Sequence, residues 1–322
     1  GAVVGLKFFP NADRLLTVAY AGLHAIWDAG TGRALHELKQ CFGEGARTPE
    51  AQVLPDGERV ITVDADGSAA LWSAASGQVL QRFPGHHNDL RLFPGGDSLA
   101  ATIANASERP RAVVIWSLAG RGALREFRQP DGAIDLMEVS PCGAKVVTAG
   151  AGAIFVWDAA AGFLEREIHA QAWLPAGVVV SRAAAAVAVS SPDRGSVLIW
   201  DPLGNLSRSL PARGVVALGA LAGDQLIVSG NAGVTLWDAA SGQRLADLSA
   251  SGGLLQVAGS LDGDVVAACS GARDVDQRTV VWDASTGRVL RVIRGQAQPA
   301  PQHLHGVSIP PCRVAVSSRP RF

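Results

Sequence analysis

The stretch VTLWDAASGQRLADL, residues 234–248, decides the fold. An apolar, β-branched run ends at Trp237-Asp238. The small turn Ala239-Ala240-Ser241-Gly242 follows, and then a second apolar alternation carried by Leu245 and Leu248. Small polar residues and Gly suit a tight turn between two strands. Asp238 admits two readings. A lone carboxylate at a strand end is a candidate for chemistry. A carboxylate that recurs is a structural device.

The chain has 322 residues, 48% of them hydrophobic and 18% charged. That much apolar side chain can offset the entropy of ordering, so one large folded domain or two modest ones are expected rather than a disordered chain. The formal net charge is −1 and no run of Lys or Arg occurs, which argues against nucleic acid as a partner. The basic residues are nearly all Arg; Lys occurs only at Lys7, Lys39 and Lys145. Cys41, Cys142, Cys269 and Cys312 are far apart, which argues against a zinc site, a C-x-x-C redox motif or a disulfide framework. The most apolar region, 172–190, contains Pro175, Gly177 and Arg182 and is not a membrane span. No signal peptide is expected. The chain opens on Gly1 rather than Met, so it reads as a piece of a longer cytoplasmic protein.

Tryptophan exposes a repeat. Trp27, Trp72, Trp116, Trp157, Trp200, Trp237 and Trp282 share one local frame and lie 37 to 45 residues apart. The segments WDAGTGRALHEL, WSAASGQVLQRF, WSLAGRGALREF, WDAAAGFLEREI, WDPLGNLSRSL, WDAASGQRLADL and WDASTGRVLRVI follow one pattern. Upstream of most of them a turn joins two apolar runs, as in FFPNADRLLTV, VLPDGERVITV and VSPCGAKVVTA. Pro presets φ in such a turn, and Gly or Asn supplies positive φ. Each unit therefore predicts strand, Pro/Gly turn, strand, short loop, strand ending in Trp, small turn, strand. No segment predicts a helix. A four-stranded sheet of this length cannot bury both faces alone, but packing such sheets radially, face to face, does so and leaves short edges. The pattern predicts an all-β fold over residues 1–322, a β-propeller of four-stranded antiparallel blades.

The period and the Trp-Asp signature resemble the WD-repeat family across essentially the whole chain. Five units carry Trp-Asp; the second and third carry Trp72-Ser73 and Trp116-Ser117. The resemblance implies a buried network pinning each blade: a Gly-His near the start, an Asp six residues before the Trp, and a Ser or Thr on the second strand. Here that set is eroded. Gly-His occurs at Gly85-His86, and Asp precedes Trp by six residues at Asp66 and Asp276. His86 pairs in sequence with Thr102 and Trp116, but position 110 is Pro. A half-satisfied buried network is worse than an apolar one, so mostly apolar blade contacts are expected. Structural roles are expected for His86, Asp66, Asp276 and the seven Trp residues. The resemblance implies seven blades, with eight as the alternative. A further hairpin, LHGVSIPPCRVAVSS at 304–318, begins a partial eighth repeat within 303–319.

Asp28, Asp158, Asp201, Asp238 and Asp283 each follow a Trp. Five copies favour a turn brace, since an Asp there can accept bonds from N–H groups of the next turn. Gly150-Ala151-Gly152 lies between strands and forms no phosphate loop. The pairs His86/His87 and His303/His305 lack Cys or acidic partners at ligand spacing, so no metal is expected. Asp283-Ala284-Ser285-Thr286-Gly287 looks similar to turns of quinoprotein-type propeller enzymes. That family places its Trp after the turn, whereas here Trp precedes it. No catalytic residue and no cofactor are expected.

Function is therefore sought on loops held by the scaffold. The loops joining second and third strands are long at 105–111 and 271–278. They place Glu108, Arg109, Arg111, Arg273, Asp274 and Arg278 on one expected face. Arginine on a rigid rim suits carboxylates or phosphorylated peptides. Trp173, outside the repeat frame, is a candidate peptide anchor. The resemblance implies a non-catalytic protein–protein interaction scaffold within a larger protein. The partners expected are other proteins or peptide segments, without nucleic acid, membrane or small-molecule substrate. Settings consistent with the family are a ciliary or cytoskeletal assembly. The alternatives are the sensor propeller of a NACHT-type signalling ATPase and a quinoprotein-like enzyme.

Overall fold

The computed structural model describes residues 3–294 apart from 11–12, 20–22, 40–49, 65, 105–108, 121, 131, 151, 170–176, 181–185, 192–194, 202–203, 213–214, 216, 221–224, 231–232, 249–253, 260–263 and 271–277. Among the described residues all regular structure is β, with no helix. Seven antiparallel sheets of four strands each are present, the strands of each sheet paired in chain order. They span 3–39, 50–83, 86–128, 136–169, 177–211, 217–248 and 254–294, numbered one to seven here. Each sheet coincides with one sequence repeat. The partial eighth repeat, 303–319, lies outside the described residues.

The chain forms two compact units. The first comprises 1–134 with 160–163 and holds sheets one to three. The second comprises 135–159 with 164–322 and holds sheets four to seven.

Sheet two shows why these residues form strands. Arg59–Val63 and Ala69–Ser73 are buried at nearly every position. Strands covered on both faces read as continuous apolar runs. The outer strand Val79–Phe83 alternates between exposed and covered positions and ends on buried Phe83. The turn between the first two strands follows from Pro55-Asp56-Gly57. The Leu54 N–H donates to the Arg59 carbonyl at 2.9 Å, and Asp56 Oδ1 accepts the Glu58 N–H at 2.9 Å.

Burial follows one rule from sheet to sheet. Within each unit, the residue before a Trp faces the sheet that follows, and the Trp of that following sheet faces back toward it. In the first unit, Leu16, Ile26 and Leu38 meet Val60, Ala70 and Trp72. Ile61, Leu71 and Phe83 then meet Leu99, Val114 and Trp116. In the second unit, Val147, Val156 and Ile168 meet Val187, Val189 and Trp200. Ile199 and Leu210 meet Leu226 and Trp237, and Leu236 and Leu248 meet Val266 and Trp282. Large apolar side chains buried in this way each contribute on the order of 1.5–3 kcal/mol.

Each repeat also carries a register shift at its Trp. In the sixth, Leu236 pairs with Ala246 and Trp237 with Arg244, so Leu245 is an extra residue on the outer strand. The extra residue is Leu35, Leu80, Leu124 or Leu290 in four other repeats. Such a bulge breaks the two-residue alternation. The expected apolar alternation of Leu245 with Leu248 is therefore corrected. Leu248 is fully buried, whereas Leu245 is 45% exposed.

Candidate functional site

The Trp-Asp turns resolve the question raised by Asp238. Asp238 Oδ1 accepts the Ser241 N–H at 2.6 Å and the Ser241 hydroxyl at 2.7 Å. These bonds favour the carboxylate and hold Asp238 below the usual range. Asp28 takes the same two bonds from Thr31, each at 2.7 Å, with its pKa lowered for the same reason. Asp283 accepts both hydroxyls and both N–H groups of Ser285 and Thr286, and its pKa falls to about 2. Asp201 accepts the Asn205 N–H at 2.9 Å. The fourth repeat differs, because Ala159-Ala160-Ala161 offers no hydroxyl. There Asp158 accepts from Lys145 Nζ at 3.1 Å, and Glu165 pairs with the same ammonium.

The Trp side chains anchor the third strands. Trp27, Trp72 and Trp157 donate their indole N–H to Thr17, Thr62 and Thr148 on the second strand at 2.9, 2.9 and 3.1 Å. Trp237 donates instead to Thr235, on its own strand, at 2.8 Å. The indole nitrogens of Trp116 and Trp282 have no partner among the described residues. At the place of the accepting Thr, those sheets carry Ala101 and Ala268, which cannot accept a side-chain bond. Trp200 is buried against Val189.

The loop at 64–68 is a polar node of the first unit. Asp66 Oδ1 accepts the Ser68 N–H and hydroxyl at 2.8 and 2.7 Å. His86 Nδ1 lies 2.8 Å from the Asp66 carbonyl, and the His87 N–H donates to Gly67 O at 2.8 Å. From sheet one, His24 Nε2 lies 3.0 Å from Asp64 Oδ1. The two side chains are 0% and 5% exposed. This buried pair joins sheets one and two.

The expected partnership of His86 with Thr102 and Trp116 is corrected here. The strand His86–Leu92 turns the next residue inward, and His87 packs edge-on to Trp116 with ring centroids 6.4 Å apart. Thr102 Oγ1 accepts the Asp89 N–H at 3.0 Å. Burial holds the His87 pKa below its usual value, against the pull of the Phe83 carbonyl; nearby His86 lowers it further. His86 and His87 aim at different carbonyls, and no metal-type cluster occurs among the described residues.

Of the residues expected to recognise a partner, Arg109 and Arg111 lie exposed beside buried Pro110. Arg111 Nε donates to Gly132 O at 3.1 Å, so it ties its loop to the segment that follows sheet three. The backbone agrees: Pro110 O accepts the Ile134 N–H at 2.7 Å. Arg278 opens the strand Arg278–Asp283, and its backbone pairs with Arg294. Glu108, Trp173, Arg273, Asp274 and Asp276 lie outside the described residues.

A recurrent clasp joins the outer strand of one repeat to the turn after the next Trp. Two residues before the buried end of the outer strand, His36, Arg125 and Arg208 reach toward the turn that follows the next Trp. His36 Nε2 lies 2.9 Å from Ala75 O, and Arg125 Nε donates to Ala160 O at 2.8 Å within the first unit. Arg208 Nε donates to Ala240 O at 3.1 Å. Arg208 also lies across Gly242, where a Cβ would stand 3.1 Å from its Cδ and φ is +72°. Arg166 occupies the corresponding place over Gly204. The signal was available: this position is His36, Gln81, Arg125, Arg166, Arg208 or Arg291 in six of the seven repeats. Other arginines act alike. Arg14 donates to Gly57 O at 2.9 Å, and Arg59 to Leu118 O at 2.9 Å. A planar guanidinium with several donors suits such carbonyl-rich turns better than a single ammonium does.

No helix of the described residues is long and apolar enough to cross a membrane. The chain matches no protein-family model and no curated protein. Its structure is similar to the crystal structure of the computationally designed Ika8 protein, with a TM-score of 0.71 and 20% sequence identity. The match covers 91% of this chain and 86% of that one. At this identity the likeness concerns the fold alone.

Proposed function

We propose that the chain is a WD-type β-propeller module and serves as a non-catalytic scaffold that binds other proteins or peptide segments. One observation carries this reading. Among the described residues, polar side chains that could have done chemistry are committed to structure: the Trp-Asp carboxylates to their own turns, and the buried His24 and Asp64 to each other. Rigid stitching of this kind suits loop display, with a stable contact covering about 1,200–2,000 Å². The loops at 105–111 and 271–278, which differ from repeat to repeat, supply the specificity.

The test compares wild-type chain with Arg109→Glu/Arg273→Glu in quantitative affinity capture, alongside an absorbance spectrum and metal analysis. Arg111 is left intact because it ties its loop to the segment that follows sheet three. The scaffold reading expects proteins captured by the wild type to be lost from the variant. Unchanged capture, or a bound quinone or stoichiometric metal, contradicts it.

A further inference from the structure

The first strand of sheet three, His86–Leu92, is fastened in two separate stretches. Its body pairs regularly with the second strand, Leu90, Arg91 and Leu92 opposite Ala101, Ala100 and Leu99. At its beginning His87 lies opposite Ile103 and His86 opposite Ala104. Between the two stretches the register shifts. A bulge interrupts the ladder there, so the strand's beginning is held apart from its body. Sheet two supplies the rest of the hold. The His87 N–H donates to Gly67 O, and His86 Nδ1 lies beside the Asp66 carbonyl, each at 2.8 Å. The loop comes so close that a Cβ on Gly67 would stand 3.2 Å from His86 Cα and from the His87 nitrogen. Gly85, the residue before this joint, has φ +113°, which L side chains rarely adopt.

His87 sits in the middle of this joint, 1% exposed. Its ring stands edge-on to Trp116, and Phe83 stands edge-on to the same indole at 5.6 Å. Ile103 and the His87 ring both close over Gly85, at 3.3 and 4.0 Å from where its Cβ would be. His87 Nε2 lies 3.3 Å from Phe83 O. That carbonyl can only accept, so Nε2 carries the hydrogen and an added proton goes to Nδ1. The surroundings suit a neutral ring. The strands Ser98–Ala104 and Ala112–Ser117 carry no titratable side chain. Arg82 on the outer strand and His86 beside it would repel a positive charge. Each nearby carboxylate already has a partner: Asp64 has His24, Asp66 has Ser68, and Asp89 has Arg91. A charge buried without a partner is costly.

We propose that His87 makes the joint between sheets two and three an acid-operated latch. When its ring takes a proton from solvent, the side chain leaves its buried place beside Trp116. The beginning of the strand then parts from the loop at 64–68, and the Gly67 and Asp66 bonds are lost. The opening stops at the bulge, because Leu90 to Leu92 keep their own pairing and Thr102 still holds the Asp89 N–H. Return to neutral pH removes the proton and closes the joint. The latch works below pH 6.5, since burial keeps the His87 pKa under that ordinary value. This inference does not depend on the scaffold reading, since it concerns how two repeats are held together.

Hydrogen exchange of the intact chain, followed by mass spectrometry at about pH 7.5 and about pH 5 and corrected for the intrinsic rate, tests it. Peptides covering 84–88 are expected to lose at least ~10-fold of their protection at the lower pH, while the strand Lys145–Gly150 keeps its own. NMR of the wild type should show the Trp116 indole N–H shifting with the same midpoint as the His87 ring. His87→Phe should abolish the acid response, and His86→Gln should retain it. Unchanged protection at 84–88 overturns the proposal, as does an equal loss at Lys145–Gly150, which marks general unfolding. An acid response that follows His86 instead, surviving His87→Phe and lost in His86→Gln, also overturns it. If His87→Phe does not fold, the wild-type exchange and the Trp116 midpoint decide alone.

Discussion

His24 and Asp64 stand 40 residues apart in sequence, yet their side chains meet at 3.0 Å with both almost fully buried. The second oxygen of Asp64 and Nδ1 of His24 have no partner among the described residues, so each side chain depends on the other. Removing one partner of a buried pair strands the other and costs about 3–5 kcal/mol. Asp64→Ala should lower stability by that order in urea unfolding. Replacing both residues with Leu should restore much of the loss. A single variant as stable as the wild type would show that the pair contributes nothing.

The Trp72 indole donates to Thr62 in a fully buried setting. Thr62→Val keeps the shape and leaves that N–H without an acceptor, an expected cost of about 1–3 kcal/mol. The comparison is Thr102→Val, whose hydroxyl serves a backbone N–H and leaves Trp116 untouched. Indole side-chain NMR should show the Trp72 N–H moving in the first variant and the Trp116 N–H staying fixed in the second.

Acid should act through the turn carboxylates. Asp283 has its pKa brought from 3.8 to about 2 by bonds from Ser285 and Thr286. The unfolded chain therefore takes up a proton at higher pH than the folded chain does. The stabilisation is complete above the unfolded value and is lost as pH falls toward about 2. Ser285→Ala/Thr286→Ala should return the Asp283 titration, read by NMR, toward its ordinary value. His87 moves stability over a different window. Burial lowers its pKa below 6.5, so folding excludes a proton that the unfolded chain accepts, and stability declines as pH falls below that value.

Leu245 and Leu248 should respond oppositely to substitution. Leu248 is fully buried against Val266 and Trp282, and Leu248→Ala should cost about 2–5 kcal/mol. Leu245 is the exposed bulge residue, and Leu245→Ser should stay within about 0.5 kcal/mol of the wild type. Thermal unfolding of the two variants distinguishes them, and equal losses would contradict the bulge assignment.

These contrasts mark what the sequence discloses. The Trp frame and the Pro/Gly turns announce every described sheet, because turn chemistry and alternation are local properties. The braces at Asp28, Asp238 and Asp283 are legible for the same reason: donor and acceptor lie within three residues. Leu245 misleads because a bulge changes phase without changing composition. His24–Asp64 and the clasps of His36 and Arg208 escape because their partners are 32 to 40 residues away, and two of the acceptors are backbone carbonyls that leave no trace in residue type. The inward turn of His87 in place of His86 depends on where one strand begins, which adjacent histidines do not reveal.

We propose that the repeats are a rigid frame that binds other proteins through its variable loops. Cross-linking mass spectrometry of the chain in extract from its native cells tests this most directly. Cross-links to other proteins are expected to concentrate at 105–111 and 271–278 and to fall when Arg109 and Arg273 are reversed to Glu. Cross-links spread evenly over the surface and unchanged by the reversal would contradict it.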